Sequence, residues 1–328
     1  IRLCDDATAG IGGDRTAVGN DAAEHRELVR VRARGRRARG DVLDQHRARE
    51  RAVGLPQLDA GAAVKTAVDH LLETTQNRLL AQFDVDLLFD YRGRRPRMTY
   101  LTDRFGDIDL PSLNLVECMD ERGNTFLLLH GIEPDMGWMT VVDSVVELVE
   151  DLNVTLTVGM QAVPFPAPHT RPIPVTAHAT DPLLVEGRKP WVGDMEIPGS
   201  LSAYLELQLG RDCHRALGFA AHVPHYLANI NFPRASLTLL GEVSAVTGLV
   251  FSLDGLREAA NQAEVELNEQ ISGNDENQAV VRALEESFDA MVAERGVETE
   301  PTELSGDEIA AQVEKFLAEM DARGRETD

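Results

Sequence analysis

Nothing in this 328-residue chain is apolar for long enough to cross a bilayer; its longest such runs, as at 125–129, fall far short of the roughly 20 residues that a spanning helix needs. Membrane insertion is therefore not expected. Cysteine is scarce as well: Cys4, Cys118 and Cys213 stand far apart, without metal-ligand spacing, and an odd count argues against a disulfide framework. The start of the chain shows no short basic head followed by an apolar stretch of about 7–15 residues, so a cytoplasmic protein is expected. Enzyme signatures are missing too. No GxxxxGK[ST] phosphate loop, GxSxG nucleophile elbow or HExxH zinc motif occurs. His222 and His225 have HxxH spacing, but Pro224 between them breaks the helix that would align two ligands. Neither a metal nor any other cofactor is expected.

What is present in excess is negative charge. A formal net charge of −23 repels phosphate backbones and excludes nucleic acid as a partner for the body of the protein, while favouring solubility and attraction to basic protein surfaces. The charge is unevenly spread. Residues 1–52 carry 12 of the 32 basic residues, all arginine, against nine acids, and leave the remainder near −26. This stretch, with its RVRARGRRAR run at 30–39, has too few apolar residues at any period to bury a face. It reads as a disordered segment, or as a misassigned, out-of-frame translation of GC-rich DNA.

From about Val53 the pattern is that of an alternating α/β core, predicted to run over 53–250. A helix is expected over 61–80, with Val64, Val68, Leu71, Leu72 and Leu79 on one face. Short strands are expected at 86–91, 97–102 and 113–119, and the glycine-bounded GNTFLLLHG at 123–131 reads as a strand buried on both faces. A helix over 138–152 and a strand over 154–160 complete a βαβ unit, which implies parallel strands. The proline-rich 164–174 is expected to be a loop, because proline cannot donate to a central ladder. Strand 175–179, helix 201–209, strand 216–223 and helix 234–247 follow. Beyond 251 strand signals cease. Residues 251–328 read as an acidic helical extension with helices at 253–271, 277–294 and 308–323, the last with a Ser305/Glu308 capping box and an apolar stripe of Ile309, Val313, Phe316, Leu317 and Met320.

Five motifs then stand in a telling order: LDAGAAV at 58–64, GIEPDMGW at 131–138, PHTRP at 168–172, VPHYLA at 223–228 and SGDEIAAQVEKFLAE at 305–319. In these the chain resembles the bacterial branch of the proteasome assembly chaperone family, second-subunit type. The resemblance implies a three-layer α/β/α sandwich with a mostly parallel sheet, related to nucleoside phosphorylases and hydrolases, followed by a helical subdomain. It also implies homo-oligomers and a protein partner. A first strand is implied immediately before Leu58, yet the residues there, ARERAVGLPQL, are charged and contain Pro56. By that measure the strand is degraded or absent.

Ligands of open α/β sheets sit where strand ends and helix N-termini converge. The residues expected at that rim are Asp59 and Gly61, Glu133 and Asp135, the His169-Thr170-Arg171 loop, and His225 with Tyr226 and Asn229. Two functions are open to them. They form a cleft for a phosphate or nucleoside, with Arg171 as a fork and His169 or His225 as proton carrier; or they cap helices and brace loops in a non-catalytic protein-binding scaffold. Convergence of His169, Arg171, Glu133 and His225 on one pocket marks the first, and divergence the second.

Overall fold

A computed structural model of the protein describes residues 49–54 and 59–296. Its nine strands are β1 (Arg49–Gly54), β2 (Gln76–Gln82), β3 (Met98–Leu101), β4 (Arg104–Ile108), β5 (Leu113–Met119), β6 (Thr125–Gly131), β7 (Val154–Phe165), β8 (Val175–Ala179) and β9 (Ala216–Pro224). The six α-helices are α1 (Ala63–Thr74), α2 (Trp138–Asp151), α3 (Leu201–Arg211), α4 (Pro233–Thr247), α5 (Asp254–Ser272) and α6 (Asp275–Gly296). Seven strands form one sheet in the order β2-β5-β6-β1-β7-β9-β8, and β3 with β4 forms a separate hairpin.

The strand expected to be degraded or absent is in place. β1 lies between β6 and β7 and pairs parallel with both, Val53 opposite Leu129 on one side and Gly159 on the other. A ladder is made by backbone N–H and C=O groups, which arginine and glutamate supply as well as valine does, so side-chain propensity was the wrong criterion. The strand also crosses the expected boundary between segments at residue 52.

The expectation of a mostly parallel sheet is corrected as well. β1, β6, β7 and β9 make a parallel centre, but β2–β5, β5–β6, β8–β9 and the β3–β4 hairpin are antiparallel. The reason is loop length. The short turn between Met119 and Thr125 closes a hairpin, whereas the parallel neighbours of β1 are reached through α1 and α2. The sheet is mixed.

Alternation along the strands feeds two cores. Phe126 and Leu128 of β6 join Val64, Ala67 and Leu71 of α1 and Leu239, Leu240 and Val243 of α4 on one face. Leu127 and Leu129 join Val141, Val142 and Val145 of α2 and Leu205 and Leu209 of α3 on the other. Helices thus cover both faces, and each buried leucine contributes about 1.5–3 kcal/mol. Truncating Leu128 to alanine removes about 2–5 kcal/mol, because a strand clamped on both faces collapses poorly around a void.

Three local expectations fail for identifiable reasons. α1 ends at Thr74, and 76–82 is the edge strand β2, with Leu79 more than half exposed rather than on a buried helix face. Residues 86–91 are a short 3-10 turn and loop, not a strand. β7 continues through Pro164 to Phe165; its last ladder partner on the β1 side is Gly159, with a lone bridge at Ala162, so Pro164 has no donor to supply there. The 308–323 helix and its capping box lie outside the described residues.

Candidate functional site

All ten residues expected at the rim follow the carboxyl ends of the parallel strands, but they form groups with separate partners. Asp59 follows β1, and its carboxylate accepts from the amides of Val64 (2.6 Å) and Lys65 (2.9 Å) in the first turn of α1. Burial raises its pKa, against the pull of those amides. Gly61 takes a left-handed φ of 69°; its amide donates to Ala228 O at 2.8 Å and its carbonyl accepts from Phe232 N at 2.8 Å. A Cβ there would stand 3.0 Å from Phe232 Cβ. Gly61 therefore locks the β1–α1 turn onto the turn that follows β9, where Asn229 is exposed to solvent.

Glu133 and Asp135 follow β6 and turn elsewhere. Glu133 is buried, and one carboxylate oxygen accepts from the amide of Leu201 at the start of α3; burial raises its pKa, with that amide opposing. Asp135 accepts from Asp90 N (2.7 Å) and pairs with Arg94 (2.8 Å), whose guanidinium also donates to the Glu133 carbonyl and lies over the Phe89 ring. These two carboxylates anchor the 85–94 loop and α3.

The third group is the richest. Tyr226 Oη accepts from the His169 amide at 2.8 Å and lies 2.7 Å from His169 Nδ1. Because one lone pair takes the amide proton, the hydroxyl's own proton goes to Nδ1 of the neutral ring. His169 then carries hydrogen on Nε2 and donates to Asn268 Oδ1 on α5 at 3.2 Å. Burial pushes the Tyr226 phenol up to about 12. Arg234 of α4 donates to the His169 carbonyl and to Glu264 of α5. Next in the loop, Thr170 donates to Glu285 of α6, and Arg171 grips Asp289 with two bonds of 2.9 and 2.8 Å. The Asp289 bond raises the Arg171 pKa and lowers that of Asp289. His225 stacks edge-on to Tyr226, and burial lowers its pKa.

The first and third groups are neighbours through the turn after β9. The Glu133 and Asp135 group shares no hydrogen-bond partner with His169 or Arg171. Two surface clefts, of about 360 and 640 Å³, are lined by none of the ten residues; the larger runs between α1 and the start of α5, past Lys65, Asp69, His70 and Asn231. Among the described residues no cluster of three or more His, Cys, Asp or Glu is placed to hold a metal ion, and no helix is long and apolar enough to cross a membrane.

Against this geometry, the family model described as PAC2 family matches residues 54–271. The chain belongs to the PAC2 family. Its relatives of known structure include a Mycobacterium tuberculosis protein of unknown function, 39% identical over 75% of this chain and 86% of the other, with a TM-score of 0.74. A Corynebacterium glutamicum protein of unknown function is 32% identical over 81% of this chain and 98% of the other, TM-score 0.75. A proteasome-assembly chaperone homologue of M. tuberculosis is 26% identical over 70% of this chain and 99% of the other, TM-score 0.64. No curated protein matches the chain.

In this PAC2 protein the partners of the rim residues are what sequence reasoning missed: Asn268, Glu264, Glu285 and Asp289 come from helices some 60–120 positions further on. Helical spacing of acids facing an arginine-bearing loop was the available signal. The β4 strand and the exposed hairpin it forms with β3 were missed too, since its RFGDI sequence has neither alternation nor length.

Proposed function

We propose that this chain is a proteasome-assembly-chaperone-like protein, a non-catalytic, protein-binding scaffold that works in the cytoplasm as a homo-oligomer. The observation that carries this reading is the likeness to the M. tuberculosis proteasome-assembly chaperone homologue, which spans nearly the whole of that relative. It is supported by the way His169, Thr170, Arg171 and Tyr226 are engaged with the chain's own helices, as bracing requires. The layering of helices on both sheet faces supports kinship with the nucleoside phosphorylase and hydrolase folds. In this reading the core to residue 250 and the helices beyond it form one working unit.

The test is direct. The purified chain, immobilised, is titrated with recombinant α-type and β-type subunits of a proteasome core particle. Saturable binding to one of them is expected, together with faster assembly of the core particle in its presence. A correctly folded chain that binds neither subunit overturns the proposal. A thermal-shift screen with nucleosides and inorganic phosphate separates the enzyme alternative, because a ligand at 100 times its dissociation constant adds about 2.7 kcal/mol.

A further inference from the structure

The β3–β4 hairpin is the exposed apolar feature of this fold. It rises between β2 and β5, outside the main sheet, and every residue of both strands is exposed. Register places Met98 opposite Ile108 and Tyr100 opposite Phe105, so these four share one face, with the Tyr100 and Phe105 rings meeting edge-on. Tyr100 is 63% exposed and Phe105 71%. A two-stranded hairpin is at best marginally stable alone in water, and a contiguous bare apolar face marks an interaction surface. The rim of this face is basic. Arg92, Arg95 and Arg97 are exposed and form no ion pair among the described residues.

The complementary surface lies on the same chain. Residues 254–295 hold eleven carboxylates against three arginines. Arg234 and Arg171 neutralise the inner ones, Glu264, Glu285 and Asp289. Glu258, Glu269 and Glu276 are exposed and form no ion pair among the described residues. On α5, Glu258 and Glu269 flank the exposed Val265 at helical spacing, and on α6 Glu276 stands one turn before the exposed Val280. Two hairpins facing each other would instead oppose six arginines, and like charges across an interface cost affinity.

We propose that the hairpin of one copy docks on the outer face of α5 and α6 of the next, its apolar face on Val265 and Val280 and its arginines on their carboxylate rim. The contact is heterologous, so repetition closes a ring or continues as a filament. This rests on the oligomer proposed above and names its contact.

The experiment is sedimentation of the full chain across concentration and salt, with folding checked by circular dichroism. Wild type is expected to self-associate, more weakly at high salt. Tyr100→Asp/Phe105→Asp, the set Arg92→Glu/Arg95→Glu/Arg97→Glu, and the set Glu258→Lys/Glu269→Lys/Glu276→Lys are each expected to raise the dissociation constant about tenfold or more. Mixing the two charge-reversed proteins restores association, because each hairpin then meets a helix pair of opposite sign. An oligomer that the hairpin sets leave unchanged, or that mixing does not restore, overturns this contact while leaving the oligomer itself standing. A wild-type monomer at all concentrations overturns both. Binding to proteasome subunits, measured on the same variants, reports separately on the chaperone reading.

Discussion

Replacing Tyr226 by phenylalanine removes one oxygen atom and keeps the ring. That oxygen satisfies two groups of His169, the amide N–H at 2.8 Å and Nδ1 at 2.7 Å, in a residue only 2% exposed. A buried polar group left without a partner costs about 1–3 kcal/mol, so the two together amount to about 2–4 kcal/mol. Against a typical domain stability of about 5–15 kcal/mol that is a large loss. Equilibrium urea unfolding at neutral pH reads it as a lower midpoint at constant slope. Amide hydrogen exchange should show the change first in α5, because His169 Nε2 is its link to Asn268. A loss below about 0.5 kcal/mol, with α5 exchange unaltered, would refute the assignment of the phenol as a structural tether.

Burial holds the buried His222 at a pKa of about 4, with Arg295 adding to the effect, so the stability it provides is present above about pH 6.5 and lost as the pH falls towards 4. The linkage amounts to about 2–3 kcal/mol by about pH 4.5, and His222→Gln should flatten that part of a denaturation profile; an unchanged acid limb counts against it. Glu133 has the opposite sign: its raised pKa gives stability below about 4.5 that is lost as the pH rises through the folded value. Glu133→Gln should therefore be at least as stable as wild type at pH 8, with the advantage vanishing in acid, and a uniform loss at every pH excludes this. Gly61→Ala forces a left-handed residue, at about 1–2 kcal/mol, and sets a Cβ 3.0 Å from Phe232 Cβ, so its urea midpoint should drop clearly and a wild-type midpoint contradicts the turn described.

The strongly periodic segments were legible. Leu113–Met119 was read to the residue, and the helix at Trp138–Asp151 to within one, because their apolar positions admit a single period. The first helix was read six residues too long, since Leu79 continues the stripe of Val64, Val68 and Leu71, and spacing cannot tell a buried leucine from an exposed one on an edge strand. β1 was lost to the opposite error, with charge in the sequence outweighing the demand of two flanking strands for a backbone partner. At the rim, position was legible and partnership was not. Asp59, Glu133, His169 and Tyr226 do follow strand ends, but Leu201, Asn268 and Asp289 reach them through tertiary packing, which no local pattern encodes.

The rim has a further physical consequence. In open α/β sheets the carboxyl ends of parallel strands, with their unpaired polar groups, are where ligands usually sit. Here the chain returns past β9 to lay α5 and α6 beside the ends of β7 and β9, and the imidazole, phenol and guanidinium found there bond to them. The apolar hold on these helices is modest: α5 gives Leu256 and Ala260 to the main core, and α6 gives Phe288 to a small cluster with Phe165 and Ala167 beneath the Trp191 stack. Polar bonds contribute less per group than buried leucines do, and they are specific in direction. They therefore fix how the helices sit more than how strongly, and so set the orientation of the outward acidic face that carries Glu258, Glu269 and Glu276.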